Sequence, residues 1–255
     1  MILRPLVLSA ALTFGLSGCI INVNGAGMES FDYHRTSALS LDATGLNGLE
    51  AETGAGALTI EGVEGLSQIT LEANIYGYDG VESELTLMRD GDQAKLVANF
   101  DSFYRVSFNG SSPYIDIVMK VPASMMLDIE DGSGSIDIKG VDANMTIKDG
   151  SGSIDIDGGK NVVIDDGSGS IVLANVDGNI NLDDGSGSIE VSSVKGDVVI
   201  NDGSGAMTVV DIAGKVTIDD GSGGIEVNNT QGLNIIEAGS GDLSFNNING
   251  PVSMN

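Results

Sequence analysis

The sequence predicts an all-β fold: a parallel β-solenoid, a flattened roll with about 18 residues per coil, following an irregular β N-terminal part. Three observations predict it. The motif Asp131-Gly132-Ser133-Gly134-Ser135-Ile136 returns from Asp149, Asp166 and Asp184, and with drift from Asp202, Asp220 and Ala238, at spacings of 18, 17, 18, 18, 18 and 18 residues. Apolar residues hold fixed places within that period, and no segment has helical periodicity with caps. A short fixed period means that each unit is one supersecondary element, which can bury its apolar face only against its neighbours.

Each coil reads as two short strands and two corners. With Asp131 as position one, positions six and eight carry Ile136 and Ile138, Ile154 and Ile156, Ile171 and Leu173, Ile189 and Val191. Positions fifteen and seventeen carry Met145 and Ile147, Ile180 and Leu182, Val198 and Ile200, Val216 and Ile218. Alternation at a period of two marks a strand with one buried face. Position eleven adds Val141, Val176, Val194 and Ile212. One corner is the Asp-Gly-Ser-Gly run, and the other carries Gly178, Gly196, Gly214, Gly232 and Gly250. Like residues stack on like only when coils lie parallel and in register. Coils about 4.8 Å apart make a seven-coil stack over residues 131–255 roughly 34 Å long. The coil that starts at Asp149 is one residue short at Asp157-Gly158-Gly159-Lys160, a deletion that fits in a corner.

Six of these corners begin with an aspartate: Asp131, Asp149, Asp166, Asp184, Asp202 and Asp220. Stacked carboxylates repel, by roughly 3–4 kcal/mol at this spacing and an effective dielectric of 20. Something must offset that. One reading is local: an Asp before Gly-Ser-Gly accepts backbone N–H groups two and three residues on and ties the turn. The other is a column of calcium sites, since calcium takes six to eight oxygens. The sequence departs from the GGxGxDxUx grammar of the RTX calcium roll, with only one acidic corner per coil. The first reading, a structural column with no metal, is the expectation.

Upstream, residues 37–130 form the irregular part. Thr53-Gly54-Ala55-Gly56-Ala57-Leu58 stands where the Asp-Gly-Ser-Gly-Ser-Ile run stands later. Residues 84–88, 95–98 and 114–121 alternate as strands, the last stopping at Pro122, which cannot donate to a ladder. Between them residues 99–113 hold Phe100, Phe103, Tyr104, Arg105 and Phe108, with Tyr76, Tyr78 and Tyr114 in the same region. This aromatic insertion reads either as a binding loop for a glycan or peptide, or as a hydrophobic cover over one end of the stack. The single histidine, His34, cannot by itself make a His-based metal site and reads as a surface residue.

Residues 1–18 carry one early positive charge, Arg4, then a short apolar run and small residues, the layout of a secretory signal peptide rather than a membrane span. The run Leu16-Ser17-Gly18-Cys19 resembles the lipobox of bacterial lipoproteins. That resemblance implies cleavage before Cys19 and lipidation of its thiol. Residues 19–36 then form the lipidated Cys and tether. Ile20 after the Cys implies, by the same resemblance, sorting to the outer membrane. Cys19 is the only cysteine, so no internal disulfide forms.

Charge narrows the partners. Against 37 acidic residues stand 11 basic ones, a net charge of -26. That argues against nucleic acid and against adsorption to anionic lipid. Hydrophobic residues still make up 41 % of the chain, enough for a core.

The run IDIVMKVPASMMLDIEDGSGSIDIKGV resembles the bacterial "putative adhesin" family of envelope domains, in which an irregular strand region ends in a Val-Pro strand and feeds a GSG-punctuated β-solenoid. The resemblance covers about residues 40–255. It implies adhesion and supplies no catalytic residues. No GxSxG elbow, HExxH, CxxC or P-loop is present. The expected function is therefore non-catalytic: a lipid-anchored envelope protein with an adhesin-like binding or structural surface and no cofactor. Its expected partners are the membrane, through the anchor, and a glycan or envelope protein. Self-association through the edge strands of the C-terminal coil is a further expectation. The alternative is a carbohydrate-active enzyme or a calcium-binding β-roll.

Overall fold

The computed structural model describes residues 21–22, 31–100 and 112–254. All regular structure among them is β-strand. The irregular part comprises β1 (Ile21–Asn22), β2 (Tyr33–Asp42), β3 (Gly48–Val63), β4 (Gln68–Gly77), β5 (Ser83–Asp90), β6 (Gln93–Phe100) and β7 (Tyr114–Pro122). The long β8 (Met126–Lys139) leads into the repeats.

From β8 onward the chain alternates between two parallel sheets. One contains β10 (Gly152–Asp157), β12 (Gly169–Ala174), β14 (Gly187–Val194), β16 (Met207–Ile212), β18 (Ile225–Thr230) and β20 (Leu243–Ile248). The other contains β9 (Met145–Asp149), β11 (Val162–Asp166), β13 (Ile180–Asp184), β15 (Val198–Asp202), β17 (Val216–Asp220), β19 (Leu233–Glu237) and β21 (Val252–Met254). Registers join equivalent residues of successive coils. Ile136, Ile154, Ile171, Ile189, Met207 and Ile225 form one ladder. Met145, Val162, Ile180, Val198 and Val216 form another. All of these are buried. Each such side chain contributes roughly 1.5–3 kcal/mol by leaving water. A lone coil has nothing to bury them against, which is why stacking and folding are one event here.

The grammar of the repeats begins before Asp131. In β3, Thr53 pairs with Asp131, Gly56 with Gly134 and Leu58 with Ile136, all in parallel. β3 is thus a full coil below β8. Beyond β3 the two sheets part company. One continues through β7 to β4 and β2, antiparallel. The other continues through β6 to β5, an antiparallel hairpin. Of these antiparallel pairs only β5–β6 is a hairpin; β3 intervenes between β2 and β4, and β5 and β6 between β4 and β7.

The corners explain the short coil. In the longer coils the position-ten residue is left-handed: Asn175, Ser193, Asp211, Asn229 and Asn247 have φ of 54–59°. Asn and Asp tolerate this conformation better than most residues. In the coil of 149–165 the same corner is made by Gly158 and Gly159, with φ of 114° and 105°, and the missing residue is absorbed there. Register recovers at once, with Val162 opposite Ile180.

Candidate functional site

The column of aspartates lies on the inward face. The strand pattern that ends each coil, such as Ile180-Asn181-Leu182-Asp183-Asp184, alternates buried and exposed, and Asp184 falls in phase with Ile180 and Leu182. Asp131, Asp149, Asp166, Asp184, Asp202 and Asp220 are each 6 % exposed or less. They pair in register coil by coil. The expected turn tie is present in part: four corners have the bond from the N–H two residues on, while the Gly N–H three residues on donates to the backbone of the next coil. The N–H of Ser151, Ser186, Ser204 and Ser222 donates to Oδ1 of Asp149, Asp184, Asp202 and Asp220, at 3.0–3.2 Å. What the sequence reading did not include is burial of the whole carboxyl. Oδ2 of all six, and also Oδ1 of Asp166, is buried without a hydrogen-bond partner.

Burial is the main cause of the resulting electrostatics. It pushes the carboxyls of Asp149 and Asp184 up to about 6. The charges of Asp131 and Asp166 add to the rise at Asp149, and those of Asp166 and Asp202 to the rise at Asp184. Asp131, Asp166, Asp202 and Asp220 are raised for the same first reason. Among the described residues no group of three or more His, Cys, Asp or Glu side chains is arranged to hold a metal ion. The acids are stacked in single file instead of converging on a point.

The aromatic residues gather elsewhere, on the outer face of the β2–β4–β7 sheet. Register places His34 opposite Tyr76 and Tyr76 opposite Tyr114. The His34 and Tyr76 rings stack at 4.3 Å and 4°, and Tyr76 and Tyr114 at 4.6 Å and 23°. Phe31 lies across the row, 5.9 Å from Tyr76, 5.2 Å from Tyr78 and 5.5 Å from Tyr114. His34 Nε2 lies 3.3 Å from Asn74 Oδ1. The rings are half-buried. Tyr76 is stacked between His34 and Tyr114, so ring edges are what the middle of the row offers a ligand. Phe31 and His34 were not legible as members, because only strand register brings them beside Tyr76.

This row lies at the start of β7, next to the corner of β3. β3 turns from Thr53 to Leu58 in four intervening residues. In the neighbouring layer the paired positions are Ala98 and Ile117, with residues 99–116 between them in the sequence. Of the binding residues expected there, Phe100 is half-buried and packs against the core. Phe103, Tyr104, Arg105 and Phe108 lie outside the described residues, as does the lipidation candidate Cys19.

No protein-family model matches the chain. No curated protein matches it either. Among solved structures, one called a putative adhesin from Parabacteroides distasonis ATCC 8503 is 14 % identical with a TM-score of 0.48, over 86 % of this chain and 97 % of the other. A putative adhesin from Bacteroides fragilis NCTC 9343 is 14 % identical with a TM-score of 0.47, over 83 % and 97 %. One called a putative lipid binding protein, also from Parabacteroides distasonis ATCC 8503, is 17 % identical with a TM-score of 0.42, over 86 % and 96 %. With TM-scores below 0.5, none of these likenesses bears on function.

Proposed function

We propose that this chain is a non-catalytic, lipid-anchored protein of the bacterial cell envelope with an adhesin-like binding surface. The observation that carries the reading is the clustering of Phe31, His34, Tyr76, Tyr78 and Tyr114 on one outer face. Aromatic side chains with a polar tip are the common anchors of recognition surfaces. Aromatic contacts suit a glycan or an extended segment of an envelope protein. The most perturbed acids, by contrast, are sealed inside the stack, where no polysaccharide reaches them. Nucleic acid is no partner for so acidic a surface.

The test is binding of the purified protein to a glycan array and to proteins of intact envelopes. Tyr78→Ala combined with Phe31→Ala is expected to lower binding about tenfold or more, by removing two anchors worth roughly 1 kcal/mol or more each. Unchanged binding by a variant with an unchanged melting temperature would remove the aromatic face from consideration. Turnover of a polysaccharide that is lost on acid substitution would establish the enzyme alternative instead.

The anchor is assigned to Cys19 and the location to the outer membrane. Cys19→Ala is expected to abolish incorporation of labelled fatty acid and to move the protein from the membrane fraction to the soluble fraction. Retention of label in that variant would refute the assignment. Self-association is assigned to β20 and β21, each paired on one side only among the described residues, where Val252 and Met254 are exposed and Leu243 and Phe245 only half-buried.

A further inference from the structure

The six buried aspartates pose a problem that the turn tie does not solve. One oxygen of each is paired at most, and the others are sealed from water. Five coil steps of about 4.8 Å set the six carboxyls in a file roughly 24 Å long. Six full charges in that file would each lack both solvent and a counterion, an arrangement that burial strongly disfavours.

The charged groups around the file offer no relief. On the inward side each of the four inner aspartates meets the aspartates of the coils above and below, while Asp131 meets only Asp149 and Asp220 only Asp202. On the outward side of the same strands stand Glu130, Lys148, Asp165, Asp183 and Asp219, with Asn201 in the same row. Of these, Asp165, Asp183 and Asp219 act on Asp166, Asp184 and Asp220, and all three raise their neighbours further. The facing sheet contributes buried Ile, Val, Leu and Met.

One end of the file shows what fills the gap. Thr53 holds the place of the aspartate one coil below Asp131. Its hydroxyl donates to Asp131 Oδ1. A neutral O–H stacked under a carboxylate is therefore the arrangement at the first step. A protonated carboxyl has the same donor and fits every later step.

We propose that the column is a proton-loaded ladder, in which protonated and ionised aspartates alternate and each protonated Oδ2 donates to a carboxylate of an adjacent coil. The protons come from solvent and are taken up as the coils stack. The alternation has an assignable phase. Asp149 and Asp184 are alternate members of the file and carry the values near 6. Asp131 already accepts from the Thr53 hydroxyl, which makes Asp131 the carboxylate of the first step and Asp149 the donor above it. Asp220 is the third donor in that phase.

The sign of the linkage follows. These carboxyls bind protons more tightly folded than unfolded, where an Asp titrates near 3.9. The stabilisation is fully present below about pH 4, and is lost as pH rises through about 6. The solenoid is thus tightened by mild acid and loosened by alkali.

The experiment is thermal unfolding of the full chain from pH 4.5 to 8.5, compared with Asp149→Asn/Asp184→Asn. Asn keeps the Oδ1 acceptor of the turn and supplies a permanent N–H donor in place of the proton. The wild type is expected to lose about 5 °C or more over that range. The double variant is expected to melt about 5 °C higher than the wild type at pH 8.5 and to show a flatter profile. Equal slopes for the two proteins, or a wild-type melting temperature that does not fall with pH, would overturn the proposal. So would a saturable rise with calcium at pH 8.5 that the variant lacks, because cations would then fill the file. If the double variant fails to fold, the infrared carbonyl band of protonated carboxyls in the wild type decides. It is expected to persist at pH 5.5, and complete ionisation by pH 5 would sink the ladder.

Discussion

Gly187→Ala is expected to unfold the stack at physiological temperature. Gly187 has φ of 153°, where an L side chain is strained, and an added Cβ would fall inside the carbonyl oxygen of Gly169 in the coil below. The same contact recurs from Gly152 through Gly223, so the corner has no slack on either side. The neighbouring atom is backbone and is itself stacked, so no side chain can move to make room. A cost of about 4 kcal/mol or more is expected, a large part of the stability of an ordinary domain. The control is Ser188→Ala, one residue on, which removes only the exposed 3.2 Å hydrogen bond to Ser170 Oγ. Denaturant midpoints should separate the two clearly. Equal midpoints would mean that the corner can open, contrary to the geometry.

Ile171→Ala is the second large effect. Ile171 is fully buried and sits in register between Ile154 and Ile189. Removing its side chain leaves a cavity walled by two coils that cannot close on it without losing register. The expected cost is about 2–5 kcal/mol. Val163→Ala, on the exposed outer face, should cost within about 0.5 kcal/mol. The quasi-one-dimensional stack adds a finer expectation. Amide exchange should quicken in the coils around Ile171 while protection persists in β17 and β19. Uniform acceleration along the whole chain would show that the stack melts only as one unit.

Both predictions rest on features that the period made legible. When coils stack in register, a sequence position and a spatial column are the same thing. The Ile and Val columns, the Gly corners and the place of Thr53-Gly54-Ala55-Gly56 as a worn coil could therefore be read directly. The aspartate column was legible as a column but not as a buried one. Polarity points an Asp outward, and a turn gives it a plausible place at the surface. The contrary signal was present. In Ile180-Asn181-Leu182-Asp183-Asp184 the second Asp keeps the phase of the apolar residues. Phase outweighs polarity here because the corner lies after the Asp, so the strand alternation still governs its direction.

The aromatic face shows the opposite limit. Phe31, His34, Tyr76 and Tyr114 are far apart in sequence and follow no period. Antiparallel register alone puts them in one row, and that register comes from long-range pairing of β2, β4 and β7 that the repeat does not encode.

By itself, then, the sequence determined the coil, its two corners and its apolar columns, because repetition turns local pattern into long-range contact. Tertiary structure alone decided that six carboxyls share a sealed file and that Tyr76 is stacked between His34 and Tyr114. Both outcomes depend on what lies opposite across the stack or the sheet, and only the closed fold supplies that neighbour.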